Sequence, residues 1–93
     1  MKPDVCELCG SERAYLNFHH LIPRTLHTNG KFKRMYEKEY MKSHGIWICK
    51  WECHRQIHRF ISEKDMGLYY NTKELLLTHE EVKKYIEWRS KRN

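Results

Sequence analysis

The stretch Cys49-Lys50-Trp51-Glu52-Cys53-His54-Arg55-Gln56-Ile57-His58 decides how this 93-residue chain is read. The pattern predicts a helix from Cys53 to about Ser62, with Ile57, Phe60 and Ile61 as its core face. Positions four apart on a helix share a side, so His54 and His58 project together, roughly 6 Å apart. The strand formers Gly45-Ile46-Trp47-Ile48-Cys49 lead into that helix. One short segment therefore carries a cysteine pair and an imidazole pair across a strand-to-helix turn.

The matching cysteine pair lies upstream, at Cys6-x2-Cys9, followed by Gly10. Two close pairs have zinc-ligand spacing, and a glycine after the second cysteine lets the backbone turn with positive φ so that its amides face the sulfurs. A chain this short buries little apolar surface and needs a staple. Four thiolates, Cys6, Cys9, Cys49 and Cys53, close a tetrahedral shell with no open position, so a zinc ion held there is structural. The x3 spacing of the second pair departs from the usual x2. Two disulfides are the other reading of four paired cysteines. Met1-Lys2-Pro3-Asp4 leads straight into the first pair without a secretory signal, so a reducing, cytoplasmic setting is expected and metal is favoured.

Between the cysteine pairs, a strand over Ala14 to His19 is expected to end at Ile22-Pro23, since proline cannot donate to a ladder. It would pair with residues 45–49 as a hairpin despite the long insertion. That insertion is read as a loop through Thr28-Asn29-Gly30 and a helix over 33–43, with Met35, Tyr36, Tyr40 and Met41 on its apolar side. Downstream, Thr78-His79-Glu80-Glu81 looks like a capping box, with Val82, Tyr85, Ile86 and Arg89 following at helical spacing. The basic tail Arg89-Ser90-Lys91-Arg92 complements the dipole of that helix. No repeat or flexible linker divides the chain, so one α+β domain over 1–93 is expected, its core about 6–62 and a helical extension about 63–93. No apolar run approaches the length that spans a bilayer.

The net charge is +6, and residues 31–64 supply five of those six charges. A basic surface concentrates polyanions, nucleic acid above all, although charge by itself is equally compatible with a solvated face. Four of the seven histidines are arranged: His19-His20 at a strand end and His54-x3-His58 on the helix. A hydrolytic metal must keep open positions, so three protein ligands plus water is the expected count.

Phe18-His19-His20-Leu21-Ile22-Pro23 followed by Cys49-x3-Cys53-His54-Arg55-Gln56-Ile57-His58 resembles the HNH endonuclease motif, and the resemblance covers residues 6 to 58. It implies a treble-clef ββα-metal domain in which a hairpin and a helix grip one divalent cation. On that basis His19 is a metal ligand and His20 the general base. His54 and His58 supply further ligands, and the four cysteines bind a separate structural zinc. The activity implied is hydrolysis of DNA phosphodiesters by one catalytic metal, Zn2+, Ni2+, Mn2+ or Mg2+. The family's middle asparagine falls here on His44, which either orients His20 or is a loop residue without a role. Arg24, Lys31, Lys33, Arg34, Lys50, Arg55 and Arg59 can meet backbone phosphates. Trp47 and Trp51 can stack on bases or fill the core. His27 and His79 read as surface residues. Two alternatives stay open: a non-catalytic zinc module binding nucleic acid or protein, and an RNA-directed nuclease or toxin. One cleft cuts one strand, so a homodimer is a further expectation.

Overall fold

Strand β1 (Leu16–His20) pairs antiparallel with β2 (Gly45–Cys49), from Leu16 opposite Cys49 to His20 opposite Gly45, in a computed structural model that describes residues 2–12 and 15–91. The expected strand start at Ala14 lies outside the described residues, as does Arg92 of the basic tail. β1 runs one residue further than expected, through His20. Gly45 is required opposite that residue: a Cβ there would overlap the His19 carbonyl and stand 2.6 and 2.8 Å from Phe18 ring carbons.

The insertion between the strands holds a 3-10 turn (Arg24–Leu26) and two short helices, α1 (Gly30–Met35) and α2 (Lys38–Ser43). A single helix over 33–43 does not form. Asn29 starts α1 early by accepting from Lys31 N at 2.9 Å, and Tyr36 is extended at φ −137°, which breaks the run before α2. The break also changes the apolar face. Phe32 and Met41 are buried with Ile22, whereas Met35 and Tyr40 are exposed and Tyr36 is half-buried. Tyr36 stacks on Tyr40 and Tyr40 on His44, a ladder of rings along the outside of the insertion.

Helix α3 (Cys53–Phe60) follows β2 and buries Cys53 and Ile57; Ile61, just past its end, is buried too. Two further helices, α4 (Glu63–Tyr69) and α5 (Lys73–Leu76), start at Ser62 and Thr72, whose hydroxyls accept from the amides three residues on. Each removes one orphan N–H from a helix N-terminus. Helix α6 (Glu80–Ser90) starts one residue later than a capping box at Thr78 requires. His79 is the N-cap, its Nδ1 accepting from Val82 N, while the Thr78 hydroxyl donates back to the Leu75 carbonyl. His79 is half-buried against Tyr70 and is thus a structural cap.

The segment after residue 63 is built into the core. Met66, Leu76, Val82 and Ile86 are buried in one cluster with Ile46, Ile48, Ile57 and the four cysteines. No helix among the described residues is long and apolar enough to cross a membrane.

Candidate metal centres

The cysteine cluster is assembled from a turn, a strand end and a helix start. Cys6 and Cys9 sit on a tight turn in which Gly10 adopts φ 77° and donates to the Cys6 carbonyl at 3.0 Å. The amides of Leu8 and Cys9 both point at Cys6 Sγ, at 3.4 Å. That turn is docked on β2 by Glu7, whose backbone N–H donates to the Trp47 carbonyl at 2.9 Å while its carboxylate accepts from Trp47 N at 2.6 Å. Cys49 closes β2 and Cys53 opens α3.

All four cysteines are buried, none of them in a disulfide among the described residues, and their sulfurs lie within 4.8 Å of one another. Cys6 stands 3.9 Å from Cys53 and Cys9 stands 3.4 Å from Cys49. A disulfide requires about 2.05 Å, whereas a tetrahedron with Zn–S of ~2.3 Å has edges of about 3.8 Å. The extra residue of the x3 spacing does not spoil the cluster, because it is taken up at Glu52, which turns at φ −107°, ψ −84° before the helix. The Cys53 thiol beside it holds Cys6 down to about 4, burial lifts Cys49 to about 12, and the Cys6 contact with burial lifts Cys53 further. A central dication would supply the charge that favours the ionised sulfurs.

The second centre lies at the far end of β1. His19, His54 and His58 each offer a ring nitrogen within 4.8 Å of the others. Ring centroids are 5.0 Å apart for His19 and His54, 5.3 Å for His19 and His58, and 4.8 Å for His54 and His58. His19 is only 1% exposed, and neither of its ring nitrogens has a hydrogen-bond partner. A buried imidazole with two idle nitrogens is costly unless something else takes its lone pair. Burial first, then the neighbouring imidazoles, push His19 down to about 3 and His54 to about 4. Both rings are therefore neutral and able to donate a lone pair at physiological pH. The donor set fits a cation that accepts imidazole nitrogen and keeps positions open.

His20 lines the same cleft of about 190 Å³ with His19, His54, His58, Phe18, Pro23, Arg24 and Glu63. Neighbouring strand residues normally face opposite ways. Here β1 ends at His20, and its ring packs edge-on against Phe18 at 5.0 Å and against His27 at 5.7 Å. Burial, His27 and Arg24 lower its pKa, opposed by a hydrogen bond from its ring to the Lys42 backbone.

His44 is engaged elsewhere. Its ring nitrogen bonds the Asn71 carbonyl, its ring stacks on Tyr40 at 4.8 Å, and its own carbonyl accepts from Leu21 N at 3.0 Å. The group that meets the His20 ring is the Lys42 backbone, which no sequence motif announces. His27 is likewise not a bare surface residue: it is half-buried, its Nε2 is 2.7 Å from the Ile22 carbonyl, and its ring packs on His20.

Of the seven expected phosphate-binding residues, Arg24 lines the cleft. Arg55 and Arg59 are exposed on α3 beside the ligand positions, and Lys31, Lys33 and Arg34 are exposed on α1. Lys50 lies over the Trp51 ring, 4.7 Å from its centroid. Trp51 is 62% exposed and so is not a core residue, whereas Trp47 is half-buried against Phe18. Glu63, unnoticed in the sequence, brings a carboxylate to the cleft, tethered by the Thr25 hydroxyl at 2.7 Å. Comparison with protein-family models, with curated proteins and with solved structures gave no match.

Proposed function

We propose that this chain is a metal-dependent endonuclease of the HNH type, a treble-clef ββα-metal domain that hydrolyses DNA phosphodiesters. The observation that carries the reading is the buried, unpartnered His19 converging with His54 and His58, with a further imidazole, His20, in the same cleft. A structural imidazole has its nitrogens satisfied; a ligand needs one free.

The chain's own residues divide the work. His19, His54 and His58 would hold the divalent cation, which when bound would supply positive charge to offset the negative charge developing on the phosphate oxygens. A hydrogen bond to the Lys42 backbone would hold one nitrogen of the His20 ring as N–H and leave the other as an acceptor in the cleft. Neutral His20 then removes a proton from the attacking water. Arg24 lines the same cleft as an always-charged donor for a phosphate oxygen. Arg55 and Arg59 extend positive charge along α3, giving affinity with little sequence preference. Cys6, Cys9, Cys49 and Cys53 would hold a structural zinc that fixes the turn, strand and helix carrying the cleft, and two copies would serve both strands of a duplex.

The test is cleavage of supercoiled plasmid by purified protein with Mg2+, Mn2+, Ni2+ or Zn2+, beside His20→Ala and with duplex DNA, single-stranded DNA and RNA in parallel. His20→Ala is expected to keep its fold and both metals and to lose about 10²-fold or more in rate. A wild-type rate in that variant would sink the assignment, and preference for RNA would redirect the substrate.

A further inference from the structure

Besides its apolar residues, helix α6 brings a charged side chain to the cysteine cluster. Arg89 Nη2 donates to Glu52 Oε2 at 2.6 Å, and the guanidinium lies against the Cys49 side chain. Glu52 is the last of the three residues between Cys49 and Cys53, and its side chain caps nothing in α3. The longer spacing thus presents a carboxylate to the C-terminal helix. Arg89 Nε is buried without a hydrogen-bond partner. An arginine cannot shed its charge to escape that position. The acceptor it lacks is what a metal-loaded cluster supplies: four thiolates around a dication leave two net negative charges, and a thiolate accepts an N–H far better than a thiol does.

We propose that Arg89 is a positioning residue of the cysteine site, hydrogen-bonding the Cys49 thiolate of the metal-loaded cluster while Glu52 holds the guanidinium in place. Outer-shell donors of this kind tune the ligand they touch. The bond draws density from the sulfur, which makes it less reactive and the metal slower to leave. The proposal rests on the four cysteines holding a metal and not on hydrolysis in the histidine cleft.

Full-length protein loaded with Co2+ tests this directly, because sulfur-to-cobalt absorption arises from the thiolates and not from the imidazole centre. In Arg89→Ala and Arg89→Gln the band is expected to move to longer wavelength, and zinc transfer to a chromogenic chelator to become about 10-fold faster or more, the scale of outer-shell substitutions. Arg89→Lys should recover part of both effects, and Glu52→Gln should shift both in the same direction by less. A folded Arg89→Ala with the wild-type band and release rate overturns the proposal. Should that variant fail to fold around metal, wild-type values in both Arg89→Lys and Glu52→Gln overturn it instead. Wild-type protein with no sulfur-to-cobalt band would overturn the cysteine site and this proposal together, leaving the cleft to its own cleavage assay.

Discussion

The ring of His19, buried at the end of the hairpin, stands 5.0 Å from that of His54 on α3 at an interplanar angle of 79°. Neither ring hydrogen-bonds the other, and His19 has no partner for either nitrogen. A fold that keeps such a side chain retains an unfavourable group for a purpose other than packing.

Replacing His19 by leucine removes two buried, unsatisfied nitrogens and leaves an apolar side chain of similar bulk. Without metal at the histidine centre, His19→Leu is expected to be as stable as wild type or to gain about 1–3 kcal/mol. Bound metal should fall from two ions per chain to one. Urea denaturation of protein carrying one zinc per chain would read the first change, and elemental analysis after loading with excess metal the second. Retention of two ions would remove His19 from the ligand set.

Gly45 is a packing requirement for the same site. An added methyl group would meet the Phe18 ring and the His19 carbonyl, and Phe18 is the ring on which His20 leans. Gly45→Ala should cost about 1–3 kcal/mol, the range of overpacked sites. It should also lower cleavage by more than it lowers metal content, because His20 shifts with Phe18. Equal stability in urea would show that the hairpin end yields at little cost.

What the sequence revealed follows from the range of the interactions concerned. Cys6-x2-Cys9, Cys49-x3-Cys53 and His54-x3-His58 are local spacings fixed by a turn or a helix, so the groups that sit together could be read directly. β2 and α3 were legible because β-branched residues and helical periodicity agree there. The end of the helix expected over 33–43 falls at Ser43 as read, but one continuous helix does not form because Asn29 caps an earlier start and Tyr36 is extended, moving burial to Phe32 and Met41. The Lys42 backbone beside His20 carries no side-chain signature at all. Glu63 reaches the cleft, and His27 the His20 ring, only through folding of the chain, and Arg89 read as a dipole partner because nothing local points it toward Cys49.

The basic residues should separate by position. Arg24 lines the cleft, so Arg24→Ala is expected to lower the cleavage rate at saturating DNA. Arg55 and Arg59 are exposed on α3, so their alanine variants should weaken binding and each reduce the salt slope by about one, with the saturated rate little changed. Binding isotherms at several salt concentrations, beside single-turnover rates, distinguish the two behaviours. A uniform affinity loss from Arg24→Ala, with an unchanged rate, would place it with the peripheral phosphate contacts.

The depressed histidines set the pH dependence of the second centre. A metal competes with protons for imidazole, so three ligands of ordinary pKa, about 6.5, would make log Kd fall by three for each unit of pH rise well below that value. Burial and neighbouring rings hold His19 at about 3 and His54 at about 4, which means both are already deprotonated at pH 5 and give up no proton when the metal arrives. The sign is therefore toward retained binding in mild acid, with proton competition from these two groups confined to lower pH. Between pH 5 and 6.5, a plot of log Kd for Ni2+ against pH should have a slope no steeper than about minus one. His19→Leu, which already lacks one ligand, should bind weakly throughout. A slope near minus three would show that the rings titrate as free imidazoles and that the buried, desolvated arrangement of His19 and His54 does not persist in solution.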